Sequence, residues 1–121
     1  MTFTTARRIH RTATAIVGVM GVIHSILTAT SYSGWTASAL WFLGAGLGLV
    51  LIALMNWAHV GLEPCSLPTA KAVKWANVGY GAFGIAAVFA VAEPHALLLV
   101  AALVVQAIVG FWTLDVQPDS V

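Results

Sequence analysis

Four long runs of apolar residues, separated by short polar stretches, dominate the chain. The runs cover approximately residues 13–30, 36–57, 72–92 and 96–114. Each is close to the ~20 residues that a helix needs to cross a ~30 Å hydrocarbon core. Lipid offers the backbone no hydrogen-bond partner, and the runs lack the alternation of barrel strands. The pattern therefore predicts an all-α fold: an integral membrane protein that forms one antiparallel four-helix transmembrane bundle over residues 1–121.

The composition agrees with a membrane location. Hydrophobic residues make up 60% of the chain and charged residues 7%, and the mean hydropathy is +0.96, whereas about a quarter of a soluble domain is charged. The runs use nearly all of the sequence, which leaves no room for a soluble catalytic module. The single Cys65 excludes an intrachain disulfide. We expect the lipid bilayer as the surroundings and do not expect an enzyme.

The basic residues predict the orientation of the bundle. They fall into two groups, one before the first run and one between the second and third: Arg7, Arg8, Arg11, Lys71 and Lys74. Positive residues stay on the cytoplasmic side of a membrane. Both termini are therefore expected to be cytoplasmic, with the protein in the inner (cytoplasmic) membrane. The net charge of +1 and the absence of a basic stripe give no indication of a nucleic-acid partner.

His24 is expected to be the only ionisable side chain in the hydrophobic interior. An imidazole at that depth needs a hydrogen-bond partner, and Gln106, Ser38, Tyr80 or a backbone carbonyl could supply it. Three roles stay open: a structural histidine, a proton-relay or ligand contact, and a haem or metal ligand. A bis-histidine haem requires a second histidine at matching depth, which only the His24 of a second copy in a symmetric dimer would provide. No metal site is predicted, and the cofactor is unknown.

A second polar group is predicted at the cytoplasmic end of the bundle. Asn56 and His59 share a face of the second helix, and Asn77 and Tyr80 share a face of the third. Antiparallel neighbours would bring these levels together, either as interhelical hydrogen bonds that hold the bundle or as a binding mouth. Trp41 lies inside the second run, away from the interface where tryptophan is usually found. These residues, with His24 and Gln106, are the candidate ligand contacts.

Small residues predict where the helices approach closely. One stripe lies on the first helix, and Gly44 and Gly48 form a GxxxG pair on the second, on the face that carries Trp41 and Leu51. The stripe on the first helix contains Gly18, Gly21, Ser25 and Thr28. One such face is expected to close the bundle and another to bind a second protomer or a different protein.

Three functions are compatible with these features. The first is a non-enzymatic bundle that acts as a homo-oligomer or as an accessory subunit of a membrane complex. The second is a small transporter or channel for a neutral or weakly basic solute, with His24 and Gln106 along its path. The third is a redox module that carries haem or quinone on His24. The sequence offers no defensible pairing of a nucleophile with a base, so no catalytic residue is assigned.

Overall fold

Four α-helices make up the described part of the protein. The computed structural model describes residues 2–61, 67–90 and 93–113. The helices, in chain order, are α1 (Phe3–Ser31), α2 (Ala37–Gly61), α3 (Leu67–Ala90) and α4 (Pro94–Thr113). The all-helical prediction is thus confirmed. The Cys65 loop and the predicted helix ends at residues 92 and 114 lie outside the described residues.

The helices begin and end at different residues from the apolar runs. α1 starts at Phe3, well before residue 13, because Thr2 caps it: the Thr2 backbone is extended and its hydroxyl accepts from the Thr5 N–H at 3.3 Å. A cap sets the start of a helix, whereas the sequence boundary was set where the apolar run begins. His10 and the arginines are consequently helical. α2 also ends later than predicted, and α3 begins earlier.

Three of the described helices are long and apolar enough to cross a membrane by length and composition. These are α1, α2 as far as Val60, and α4. α3 is not among them, because Lys71, Lys74 and Asn77 lie in its first half. The fourth crossing therefore remains a proposal.

The helices pack most extensively as the pairs α1–α2, α1–α4 and α3–α4, and much less between α2 and α3. At α1–α2, a Cβ atom added to Gly21 would lie 2.8 Å from the carbonyl oxygen of Gly46, and one added to Gly18 would lie 3.2 Å from the Cβ of Ala53. The predicted small-residue stripe of α1 is therefore a packing face. The apolar core beneath it contains Val17, Leu49, Ile52, Ala53, Ala102 and Leu103.

The Gly44–Gly48 pair does not form the interface with α1, so its expected role as a binding face for a second protomer or a different protein stays a prediction. A Cβ built on Gly44 would meet no heavy atom of the described residues within 4 Å. The buried glycine of the run is Gly46, which faces α1, while Gly48 lies under the Tyr80 hydroxyl of α3. Glycines spaced by two residues lie on different helix faces. Gly44, Gly46 and Gly48 of α2 therefore have three different surroundings.

Large apolar side chains cover the outside of the helices. Trp41 is 81% exposed and Phe89 is 88% exposed. Trp35, Trp57, Trp75 and Trp112 are also exposed. Exposed large apolar side chains thus occur on all four helices, a distribution that is unusual for a soluble monomer.

Candidate functional site

Five polar side chains, contributed by all four helices, meet inside the protein. They are His10 of α1, Asn56 of α2, Asn77 of α3, and Gln106 and Thr113 of α4. All five are buried, and His10, Asn56 and Gln106 have no exposed surface. We call these five residues the polar network.

The carbonyl oxygen of Ile52 sets the direction of the hydrogen bonds. A backbone carbonyl can only accept, so the atom of Asn56 that contacts it at 2.8 Å is the Nδ2 donor. The same Nδ2 donates to Asn77 Oδ1 at 2.7 Å, and Asn77 Nδ2 donates back to Asn56 Oδ1 at 2.8 Å. Gln106 Nε2 also donates to Asn77 Oδ1, at 2.9 Å. The two asparagines thus form a reciprocal amide pair that joins α2 to α3.

His10 connects the amide pair to the end of α4. Its Nε2 lies 2.8 Å from Asn56 Oδ1, and because that oxygen only accepts, Nε2 carries a proton. Its Nδ1 lies 2.6 Å from Thr113 Oγ1, which also lies 3.1 Å from the Val109 carbonyl oxygen. Thr113 has one hydroxyl proton, so it donates either to a neutral His10 or to Val109. In the second arrangement His10 donates from both nitrogens and is positively charged.

Two buried oxygens next to the network lack a partner among the described residues. They are Gln106 Oε1 and Thr14 Oγ1. Thr14 lies one helical turn after His10 and is 2% exposed. An oxygen without a partner in an apolar interior costs about 1–3 kcal/mol. Gln106 Oε1 within the polar network and Thr14 Oγ1 beside it are therefore the atoms to which a further hydrogen-bond donor would bind favourably.

A lysine cation lies beside the polar network. Lys74 is buried on α3, one turn before Asn77, and its Nζ lies 5.4 Å from the centre of the Phe111 ring of α4. That distance is within the range of a cation–π contact. The expectation that His24 is the only ionisable side chain inside is therefore wrong: His10 and Lys74 are also buried.

The predicted polar residues divide into two groups. Asn56 and Asn77 meet as expected, and Gln106 joins them although it was paired with His24 in the sequence analysis. His59 is half-buried one turn after Asn56. The Tyr80 hydroxyl lies against Gly48 on α2. Neither His10 nor Thr113 is among the residues that the sequence indicates; His10 escapes notice because hydropathy alone leaves residues 1–12 outside the first helix.

His24 lies outside the polar network. Its ring stacks on Phe42 of α2, with the ring centres 3.5 Å apart and the planes inclined by 26°. The expected hydrogen bond to Gln106 is not formed, since Gln106 Nε2 donates to Asn77. Trp41 points its largely exposed ring away from the interior. Ligand contacts by His24 and Trp41 are therefore proposals without support from the network.

The network is suited to hydrogen bonding rather than to bond-breaking chemistry. It offers amides, one hydroxyl and one imidazole, with no carboxylate or thiol among its five members. Among residues 2–61, 67–90 and 93–113, no group of three or more His, Cys, Asp or Glu side chains could hold a metal ion. Its geometry can hold four helices at one relative height, and it can accept a proton at His10.

No protein-family model, no curated protein and no solved structure matches the chain.

Proposed function

We propose that the protein is an integral membrane protein that crosses the inner membrane four times, with both termini cytoplasmic. The observation that carries the proposal is the distribution of polarity. Five hydrogen-bonded polar side chains from all four helices are buried, whereas large apolar side chains such as Trp41 and Phe89 are exposed. This arrangement is stable in a bilayer, because lipid solvates the apolar surface and cannot hydrogen-bond polar groups, which therefore pair inside the protein.

The pairs of contacting residues support antiparallel neighbours. Early residues of α1 meet late residues of α2 and α4, as in the His10–Asn56 and His10–Thr113 contacts. An early residue of α3, Asn77, meets Gln106 in the second half of α4. These contacts support the proposal that neighbouring helices run in opposite directions. α3 then also crosses the membrane, with Lys74 near the cytoplasmic side.

We propose further that the bundle is not an enzyme and acts as a homo-oligomer or as an accessory subunit of a membrane complex. Each of the five network residues forms a hydrogen bond with another member of the network, which favours a structural role. One face of α2 could bind a partner helix: a Cβ on Gly44 would meet no other described residue within 4 Å, and Trp41 and Leu51 beside it are exposed. Small residues flanked by large ones let two membrane helices approach closely.

The unpartnered oxygens favour a second function, a transporter or channel for a neutral or weakly basic solute. Gln106 Oε1 and Thr14 Oγ1 could each accept from a passing N–H or O–H group. In this function the solute would contact the polar network, and His24 would line the path towards the other side.

Membrane extraction and reporter fusions test the placement. The full chain should stay in the membrane pellet after alkaline carbonate extraction. Cytoplasmic reporters should be active at both termini, and a periplasmic reporter should be active after Gly34. Release into the supernatant, or termini on opposite sides, would overturn the proposal.

The mass of the detergent-solubilised protein tests the role. A discrete homo-oligomer or a stoichiometric partner is expected. A monomer without a partner that drives solute uptake into vesicles would replace the first function by the second. The same sample, scanned for a Soret band, tests the haem alternative at His24.

A further inference from the structure

Two apolar grooves of nearly equal size flank α1. One lies between α1 and α4 and has a volume of about 380 Å³. The other lies between α1 and α2 and has a volume of about 370 Å³. We call them the α1–α4 groove and the α1–α2 groove. Their similarity in size and apolar character makes each a control for the other.

The α1–α4 groove runs along both helices because its walls follow helical spacing. On α1 it is lined from Ile9 to Ile16, and on α4 from Leu98 to Val105, in each case at positions i, i+3, i+4 and i+7. Eight residues of helix correspond to roughly 12 Å of length. Small side chains, among them Ala101, form the middle of the groove. The α1–α4 groove is therefore elongated along the helices and lined mainly by apolar side chains.

The two grooves differ in charge. Arg8 lines the α1–α4 groove at its end nearest the start of α1. The α1–α2 groove has no charged residue in its lining, and Trp57 stands at the corresponding end. Arg11 is exposed one turn beyond Arg8 but lines neither groove. The Arg8 guanidinium thus lies at one end of the α1–α4 groove, and the α1–α2 groove has no equivalent charge.

We propose that the α1–α4 groove binds an anionic phospholipid from the cytoplasmic leaflet. One acyl chain lies along the groove, and the phosphate is bound by the Arg8 guanidinium. The inference rests on the proposed membrane placement, in which Arg8 lies at headgroup level. A guanidinium matches phosphate oxygens with two parallel N–H donors. The apolar lining of the α1–α4 groove would bind the acyl chain of any lipid, so Arg8 supplies the preference for an anionic headgroup.

Native mass spectrometry of the detergent-solubilised protein tests the proposal with added phosphatidylglycerol and phosphatidylcholine. Arg8→Gln should weaken phosphatidylglycerol binding about fivefold, the effect expected of one arginine near an anionic surface. It should weaken phosphatidylcholine binding by less than about twofold, because the choline cation of that lipid already offsets the charge of its phosphate. Arg11→Gln removes the same charge from the same helix outside the groove. It should weaken phosphatidylglycerol binding by less than about twofold, because it makes no direct contact.

A second pair of variants tests which groove holds the acyl chain. Ala101→Leu fills the α1–α4 groove, and Ala15→Leu fills the α1–α2 groove; both alanines are exposed, so neither change crowds the interior. Ala101→Leu should weaken binding of both lipids about tenfold, equivalent to the loss of roughly two buried methylenes. Ala15→Leu should have no effect on phosphatidylglycerol binding.

Equal losses for Arg8→Gln and Arg11→Gln would overturn the proposal, since they would indicate attraction by general surface charge. Equal effects of the two leucine variants, or a preference for phosphatidylcholine, would also overturn it. These outcomes differ from a failure of membrane placement, which carbonate extraction detects before any lipid is added. Far-ultraviolet circular dichroism of each variant confirms that the helices are retained.

Discussion

Asn77→Ala is the substitution that best tests the polar network. Asn77 takes part in three interhelical hydrogen bonds, two with Asn56 and one with Gln106. Interhelical hydrogen bonds in membrane proteins contribute about 0.6 kcal/mol each on average. The three together amount to about 2 kcal/mol, or roughly a 30-fold change in the ratio of folded to unfolded protein.

Two further effects change the free-energy cost of Asn77→Ala in opposite directions. The amide of Asn56 and the Nε2 group of Gln106 would stay buried with fewer partners, which raises the cost. Alanine forms helices better than asparagine by up to about 0.7 kcal/mol, which lowers it. A double-mutant cycle with Asn56→Ala cancels the helix-propensity difference, because that difference occurs in both the single and the double variant. The coupling energy should be about 1 kcal/mol, from the two mutual hydrogen bonds.

Reversible unfolding in mixed detergent and sodium dodecyl sulfate, followed by circular dichroism, measures these energies. Phe83→Ala serves as the matched control, because Phe83 lies on the same helix and is exposed, and it should change stability by less than about 0.5 kcal/mol. A cost of Asn77→Ala no larger than that of the control, together with zero coupling to Asn56, would refute the argument that the network holds the bundle.

Three further predictions concern other parts of the bundle. Gly21→Ala should destabilise the protein by about 1–3 kcal/mol because its Cβ would press on Gly46. Gly79→Ala, at an exposed glycine of α3 whose added Cβ would meet no heavy atom of the described residues within 4 Å, should be neutral or slightly stabilising in the same unfolding assay; equal effects would contradict the α1–α2 packing. Nitrogen NMR should find His10 with a proton on Nε2, since Asn56 Oδ1 accepts from it; a ring protonated only on Nδ1 would contradict the direction assigned to the hydrogen bonds. His24→Phe should retain stability because phenylalanine can keep the stacking, and loss of solute transport by this folded variant would establish His24 as a ligand contact.

The helices could be predicted from the sequence because an apolar run of about 20 residues is compatible with few structures other than a helix. The meeting of Asn56 with Asn77 followed from the same pattern. Once neighbouring helices run in opposite directions, the end of one and the start of the next lie at the same height. The amide pair therefore needed only topology and helical rise.

His10 could not be placed while the first helix was taken to begin at residue 13. Hydropathy indicates where the apolar stretch begins, whereas the Thr2 cap starts the helix two turns before His10. With that cap included, His10, Thr14, Val17 and Gly21 follow 4-3-4 spacing and lie on one packing face. The signal was present, but it becomes readable only after the helix is extended. Thr113 was missed because a threonine at a helix end has many partners in principle.

The glycine run of α2 shows a second limit of sequence reasoning. Gly44, Gly46 and Gly48 lie on different faces of the helix, and each can support a close approach. The rotation of α2 about its axis decides which one is used. That rotation is fixed by contacts far away in sequence, such as Gly21 with Gly46, and the GxxxG spacing alone cannot indicate it.

The long sequence separation of the polar network has a consequence for biosynthesis. His10 and Thr113 are 103 positions apart, and Asn77 and Gln106 belong to the second pair of helices. In the proposed membrane placement, α1 and α2 therefore carry an imidazole and an amide into the membrane before their remaining partners on α3 and α4 have been made. A nascent chain that stops after α2 should be retained by the insertion machinery, and release of the bundle into lipid should follow only the synthesis of α4.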